Sequence, residues 1–294
     1  MFRNLNPYTL GITGRQGEML EIALTYRFKG LTIDIKEVAD KAKTQGMEAA
    51  TKYLLSSRLK VGGFELPVRF AAAESDFKAD LAGLKPVLDA ATALGANRCF
   101  VAVPPTSDEH PFHENFKFLA LRLREVAAAL AERGIKLGLR LVAAEAHRNN
   151  GGYQFIYQAD PLLMFIQTIG AENVGLWLDA WNWQIGDGTP EKLRAFRGEQ
   201  IIAAELSDIP AGADLATLTE EQRLLPGEGG QIDSVAYLAT LQELGFDGPV
   251  SAAVHPAANK ETKREALVQK ASAALDTLWL AAGIEDGKSL AGAK

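Results

Sequence analysis

The chain has 294 residues, 47% of them hydrophobic and 23% charged, a balance that supplies a sizeable core and excludes wholesale disorder. A formal net charge of −6 and a pI near 5.4 argue against a protein that grips a phosphate backbone, which needs a basic surface. No stretch reaches the ~18 apolar residues of a membrane span. The N-terminus, MFRNLNPYTLGITG, lacks the apolar core of a signal peptide, and Cys99 is the single cysteine. The expectation is a cytoplasmic protein without disulfides or membrane contact.

Apolar strands alternate with amphipathic helices along the chain. Thr9 to Thr13 reads as a first short strand, followed by a helix from Arg15 to Tyr26 with Met19, Ile22, Ala23 and Tyr26 on one face. The second strand is Leu31 to Ile35, then a helix from Glu37 to Leu55, and the third strand lies within Leu59 to Phe70. Ser75 reads as the N-cap of a helix carrying Phe77, Leu81, Leu84 and Leu88, in which Pro86 implies a kink or a break. The fourth strand is Arg98 to Val103, and a long helix from His113 to Arg133 closes at Gly134. Lys136 to Ala143 is the fifth strand, followed by the polar loop AHRNNGGY and a helix near Pro161 to Ile169.

The sixth strand, Val174 to Leu178, ends abruptly on Asp179. A short helix covers Pro190 to Phe196, and Gln200 to Ser207 is the seventh strand. The loop Asp208 to Asp233 holds PGEGG at Pro226 to Gly230, and Asp233 caps a helix ending at Leu244. Pro249 to Val254 is the eighth strand, and a last helix runs from Lys260 to Ala282. This alternation predicts an α/β protein with a single-domain (β/α)8 TIM barrel over residues 1–283 and a frayed tail over 284–294. An open doubly wound sheet would carry a glycine-rich dinucleotide turn, which GITGRQG matches poorly.

Residues two apart on a strand share a face. Gly175, Trp177 and Asp179 therefore point together, as do Ala203, Glu205 and Ser207, Gly138, Arg140 and Val142, Ser251, Ala253 and His255, and Thr32 with Asp34. If these sides face the axis, Asp34, Arg140, Asp179, Glu205 and His255 converge at the strand C-termini, where parallel barrels build active sites. The plain structural alternative is a charged layer that satisfies itself. Buried ions cost several kcal/mol each unless paired, so gathering them at strand ends points to use. Glu145 and His147 follow the fifth strand and could roof the mouth, with Glu228 of PGEGG opposite. Trp181 and Trp183 suit a sugar platform, or simply pack. His110 and His113, in DEHPFHEN, have a ligand-like spacing but read as a solvated loop entering a helix.

The pieces GIKLGLRLVA, VGLWLDAWN, AAELSDIP, RLLPGEGGQID and GPVSAAVHP, in this order, resemble the sugar phosphate isomerase/epimerase superfamily. These are the xylose isomerase-like barrels that also include type 2 AP endonucleases. The resemblance implies a divalent metal held by a Glu ending strand five, an Asp ending strand six, a His in strand seven and a Glu in strand eight. Here those places hold Arg140, Asp179, Glu205 and Ala253, and a further family His corresponds to Asn182. The two glutamates that usually shuttle a proton beside the carbonyl are absent. A fixed guanidinium thus stands where the family keeps a cation, and Arg140 is expected within hydrogen-bonding reach of Asp179 and Glu205.

The leading reading is a sugar isomerase- or epimerase-like protein of carbohydrate metabolism with no cofactor. Arg140, Asp179, Glu205 and His255 are its catalytic candidates, and Asp34, Trp181, Asn182, Glu145, His147 and Glu228 its substrate contacts. A residual metal site would fall to Asp179, Glu205 and His255. The second reading is an inactive barrel serving as a ligand-binding or partner subunit. An AP endonuclease would need a histidine-rich zinc site and a basic surface, against which stand four histidines and net acidity. The expected partner is a small sugar-like molecule rather than nucleic acid; self-association stays open.

Overall fold

The computed structural model describes residues 1–149, 151–259 and 262–284. Eight parallel strands close into a barrel: β1 (Phe2–Leu5), β2 (Gly30–Thr32), β3 (Lys60–Glu65), β4 (Arg98–Ala102), β5 (Lys136–Arg140), β6 (Val174–Asp179), β7 (Ile201–Leu206) and β8 (Pro249–Ala252). Their order around the barrel follows the chain, with β8 paired to β1. The fold is the (β/α)8 barrel that the strand–helix alternation predicts.

The first strand is a correction. Thr9 to Thr13 is not a strand: Tyr8–Leu10 makes a 3-10 turn after Pro7, closed by Gly11 in the left-handed region. The true β1, FRNL, looks too polar to be buried because its partners are remote in sequence. Asn4 donates to Thr32 Oγ1 at 2.9 Å and to Ser251 Oγ at 3.0 Å inside the barrel, and Arg3 pairs with Asp276.

The helices are α1 (Gln16–Thr25), α2 (Ile35–Gln45), α3 (Met47–Ser57), α4 (Glu74–Ala82), α5 (Lys85–Leu94), α6 (Phe112–Ala131), α7 (Glu145–Arg148), α8 (Ala159–Ile169), α9 (Ala180–Ile185), α10 (Ser234–Glu243) and α11 (Arg264–Ala281). The single helix expected over Glu37 to Leu55 is two, because Gly46 at φ +83 breaks it. Ser75 is not the cap of α4; Ala73 is, without a side-chain bond. Pro86 opens α5 rather than kinking a longer helix. The second strand stops at Thr32, because Asp34 caps α2 from Ile35 onward. The segment Glu191–Ala195 is 3-10, and part of the loop after β5 is helical as α7. Lys260 and residues 285–294, the expected helix start and frayed tail, lie outside the described residues.

Inside the barrel Phe100, Trp177, Ile202 and Ala203 form a small apolar plug, separate from the core between strands and helices. It floors the C-terminal mouth. Among the described residues no helix is long and apolar enough to cross a membrane.

Candidate active site

Strand parity delivers Arg140, Asp179 and Glu205 from the ends of β5, β6 and β7 to one point above the plug. Arg140 Nη1 lies 3.8 Å from Asp179 Oδ2 and 3.8 Å from Glu205 Oε2. Both are ion pairs, but too long for hydrogen bonds, so the expected hydrogen-bonded bridge is corrected to a looser contact. The guanidinium rests over the Trp177 ring, 4.4 Å from its centroid.

Asp179 belongs instead to Arg223, a residue to which the sequence reading gave no role. Arg223 Nη2 donates to Asp179 Oδ1 at 2.7 Å and Nη1 to Oδ2 at 3.0 Å, while its Nε reaches Ser207 Oγ at 3.1 Å. The same carboxylate caps α9, accepting from the Trp181 and Asn182 backbone N–H groups at 3.2 and 3.4 Å. Asn182 Nδ2 adds a bond to Oδ2 at 2.8 Å. Burial works against the ionised form, yet Arg223 and Arg140 outweigh it and hold the carboxyl below its usual range. Asp179 is therefore a fixed anion, unsuited to carrying a proton.

Glu205 is the opposite case. It is fully buried; Oε1 accepts from Asn6 Nδ2 at 3.1 Å, and among the described residues Oε2 makes no hydrogen bond of normal geometry, although the Trp177 side chain beside the carboxyl favours its ionised form. Burial pushes its carboxyl up to about 7; Arg140 relieves part of this and Asp179 adds to it. Two carboxylates in one mouth thus have their acidities driven apart, the pattern that separates a fixed charge from an acid/base.

The remaining candidates separate. Asp34 is exposed at the mouth, its Oδ1 accepting from the Lys36 and Glu37 N–H groups at 3.0 and 3.1 Å as the cap of α2. Asn182 is buried and fully used, its Oδ1 accepting from the Ala143 N–H at 2.8 Å, so it braces β6 against the end of β5. Trp181 is fully buried, and Trp183 nearly so with its indole N–H on the Thr189 carbonyl at 3.0 Å. Neither can serve as a sugar platform in this arrangement: both pack into the core. Glu145 is exposed and bonded to Asn149 at 3.1 Å, and Glu228 folds back on the Leu225 N–H at 3.1 Å. His147 reaches across the roof, its Nε2 3.3 Å from Glu220 Oε2. His255 sits half-buried beyond β8, its Nδ1 accepting from the Ala257 N–H at 3.1 Å. Among the described residues no bond links it to Asp179 or Glu205. His110 packs against Phe118 with the rings tilted by 56° and their centroids 4.8 Å apart, and His113 meets Phe112 edge-on.

The PGEGG loop owes its shape to Asp208, a buried carboxylate just past β7. Its oxygens accept from the backbone N–H groups of Ile209, Gly229, Gly230, Gln231 and Ile232 at 2.7 to 3.1 Å. Glycine is required at 229, where a Cβ would collide with the Ile209 carbonyl. The loop stands in the segment that presents Arg223, whose carbonyl accepts from the His255 N–H at 3.2 Å.

Two clefts open on the same face. One, about 430 Å³, lies among Tyr8, Asp34, Glu65 and Arg69; the other, about 360 Å³, among Val68, Phe70, Val103 and Val142. Burial, with Asp34 and Glu65 nearby, pushes the Tyr8 hydroxyl up to about 12, which keeps it a donor. Neither cleft is lined by Arg140, Asp179 or Glu205. The cluster of Arg140, Asp179 and Glu205, with its shifted carboxyls, lies apart from both clefts.

The metal that the resemblance implies does not fit these residues. A guanidinium stands among the carboxylates, Ala253 offers no ligand, and Arg223 occupies both Asp179 oxygens. Among the described residues no three His, Cys, Asp or Glu side chains gather to hold an ion, Asp179, Glu205 and His255 included.

A closed parallel barrel with ionisable residues at its strand ends defines the class, and the chain belongs to the xylose isomerase-like TIM barrel family, whose model matches residues 18–278. It is 28% identical over 185 residues to inosose isomerase of Bacillus subtilis (strain 168), covering 62% of this chain and 63% of that one. Its structure is similar to a xylose isomerase domain protein from Alicyclobacillus acidocaldarius, with TM-score 0.84 and 25% identity over 96% of this chain and 99% of that chain. It also resembles the IolI protein crystallised with a bound zinc atom, with TM-score 0.77 and 21% identity over 95% and 99% of the two chains.

Proposed function

We propose that this barrel moves a proton on the carbon beside a carbonyl of a small sugar-like molecule, an isomerase or epimerase chemistry run without a divalent ion. Glu205 is the acid/base and Arg140 the electrophile that draws electrons toward the carbonyl oxygen. Arg223 fixes Asp179, and Asp179 with Glu205 keeps the guanidinium at the mouth. The observation that carries the reading is a fully buried Glu205 with one oxygen unpartnered among the described residues, 3.8 Å from a guanidinium, its carboxyl pushed up by burial. A carboxyl poised near the working pH is what general acid/base catalysis needs, and a cation beside the developing enolate supplies its stabilisation. The similarity to an inosose isomerase supports a cyclic or open polyhydroxylated carbonyl compound as substrate. We place the protein in the cytoplasm, with a small molecule rather than nucleic acid as its partner.

The test is exchange of carbon-bound hydrogen in D2O, followed by NMR over a panel of aldoses, ketoses and inososes. Deuterium should enter beside the carbonyl, chelator should leave the rate unchanged, and Glu205→Gln should cost roughly 10²- to 10⁴-fold. No exchange with any substrate, or full rate in Glu205→Gln, would refute it. The replaced family positions favour a second reading, a barrel that binds such ligands without turnover. It predicts a ligand-dependent rise in melting temperature with no exchange.

A further inference from the structure

Arg140 has an incomplete set of partners. Its side chain is only 26% exposed, yet no N–H of its guanidinium donates a hydrogen bond among the described residues. Nε is buried without a partner, and Nη1 stands 3.8 Å from each of two carboxylate oxygens. Trp177 closes one face of the fork at 4.4 Å. Neither carboxylate is free to close the gap. Asp179 is held on both oxygens by Arg223 and pinned by Asn182, and Glu205 is tethered through Oε1 to Asn6. A buried donor without a partner is costly, and an acceptor brought by a ligand would complete Nε.

The shape of the guanidinium limits what such acceptors are. A guanidinium is a flat fork that takes two oxygens side by side in its plane, most strongly when they carry negative charge. Asp179 is taken up by Arg223 and Glu205 meets Arg140 only at 3.8 Å, so the guanidinium keeps donors available for such a charge. A neutral ketose offers its carbonyl oxygen flanked by a hydroxyl, which carries no charge. A 2-keto sugar acid offers a carboxylate oxygen and the adjoining keto oxygen together, with a full negative charge. We propose that the substrate is a 2-keto sugar acid, seated on Arg140 through one carboxylate oxygen and the neighbouring keto oxygen.

The inference rests on the proton-transfer reading above and narrows its substrate. The C3 proton passes to the Glu205 carboxylate, and the C–H electron pair forms the C2–C3 double bond of an enolate. The keto oxygen takes the negative charge against the guanidinium. Return of the proton to C3 restores the keto acid, so the step needs no oxidant or further reactant. One fork then both holds the acid group and stabilises the enolate.

The experiment compares ligands that differ only at C1: 2-keto-D-gluconate with D-fructose, and 2-keto-D-galactonate with D-tagatose, with inorganic phosphate as an anion control. Binding is measured by calorimetry on the full chain, and C3 exchange in D2O by NMR. The keto acid of at least one pair should bind roughly tenfold or more tighter than its ketose. Arg140→Lys, which keeps the charge but loses the fork, should remove most of that preference, and Arg140→Met all of it. An unaltered circular-dichroism spectrum and a cooperative urea transition show that the variants fold. Equal affinity for keto acid and ketose, or a preference that survives Arg140→Met, overturns this inference and leaves the proton-transfer reading standing. Phosphate competing as well as the keto acids also overturns it, because the site is then one for anions in general. Exchange confined to neutral sugars rejects the acid substrate alone, whereas no binding or exchange by either class overturns both readings.

Discussion

Replacing Glu205 by Gln should stabilise the protein at neutral and alkaline pH while slowing its proposed chemistry by roughly 10²- to 10⁴-fold. The side chain is buried and its carboxyl is raised from 4.5 to about 7 in the fold. The folded protein therefore holds a proton that the unfolded chain has already released across that interval. Stability is highest below the unfolded value, falls as pH rises toward 7 and levels off above it. At ~1.4 kcal/mol per pH unit, the loss amounts to about 3 kcal/mol. Asp179 contributes with the opposite sign, since its lowered carboxyl yields stability that disappears only as pH falls below the ordinary carboxylate range. It leaves this window clear. Gln is neutral at every pH and nearly isosteric, so Glu205→Gln should match the parent near pH 4.5 and exceed it by about 3 kcal/mol at pH 8. Urea unfolding at half-unit pH steps measures the difference. Parallel curves, or a variant less stable at pH 8, would mean that Glu205 is comfortably ionised in the fold and would remove its candidacy as acid/base.

Arg223→Met should strip Asp179 of its bidentate partner and destabilise the fold by about 3 to 5 kcal/mol, the usual cost of an orphaned buried charge. Denaturant melts at pH 7 would show it, and a loss under 1 kcal/mol would mean that Arg140 moves in to replace it. Asp208→Asn sets an amide donor against backbone N–H groups that now share a carboxylate. It should cost about 3 kcal/mol and raise amide exchange at Gly229 to Ile232, whereas unchanged exchange there would show that PGEGG is held by other means.

The barrel was legible in the sequence because its signals are local. Apolar runs, helix stripes and glycine stops repeat along the chain, and strand parity correctly turned Arg140, Asp179 and Glu205 into one mouth. Errors came where a residue is explained by partners far away. The strand FRNL went unread because Asn4 is satisfied by Thr32 and Ser251 across the barrel. Arg223 went unread because its carboxylate lies 44 residues earlier, although an arginine set directly against the apolar LLP was the same kind of signal that singled out Asp179. Trp181 misled for a related reason. The sequence places an indole beside the site aspartate, but the helical turn that Asp179 caps carries that ring into the core, leaving Trp177, one strand turn earlier, beneath the guanidinium.

If Arg140 occupies the place of a metal ion, the purified protein should hold none. The purified parent and the triple variant Arg140→Glu, Glu205→His, Ala253→Glu are dialysed against zinc or manganese, then against metal-free buffer, and measured by elemental analysis. The parent should retain no stoichiometric metal and keep its activity in chelator, while the variant should retain one ion per chain. One tightly bound ion per parent chain, or turnover that stops with chelator, would contradict that place for Arg140.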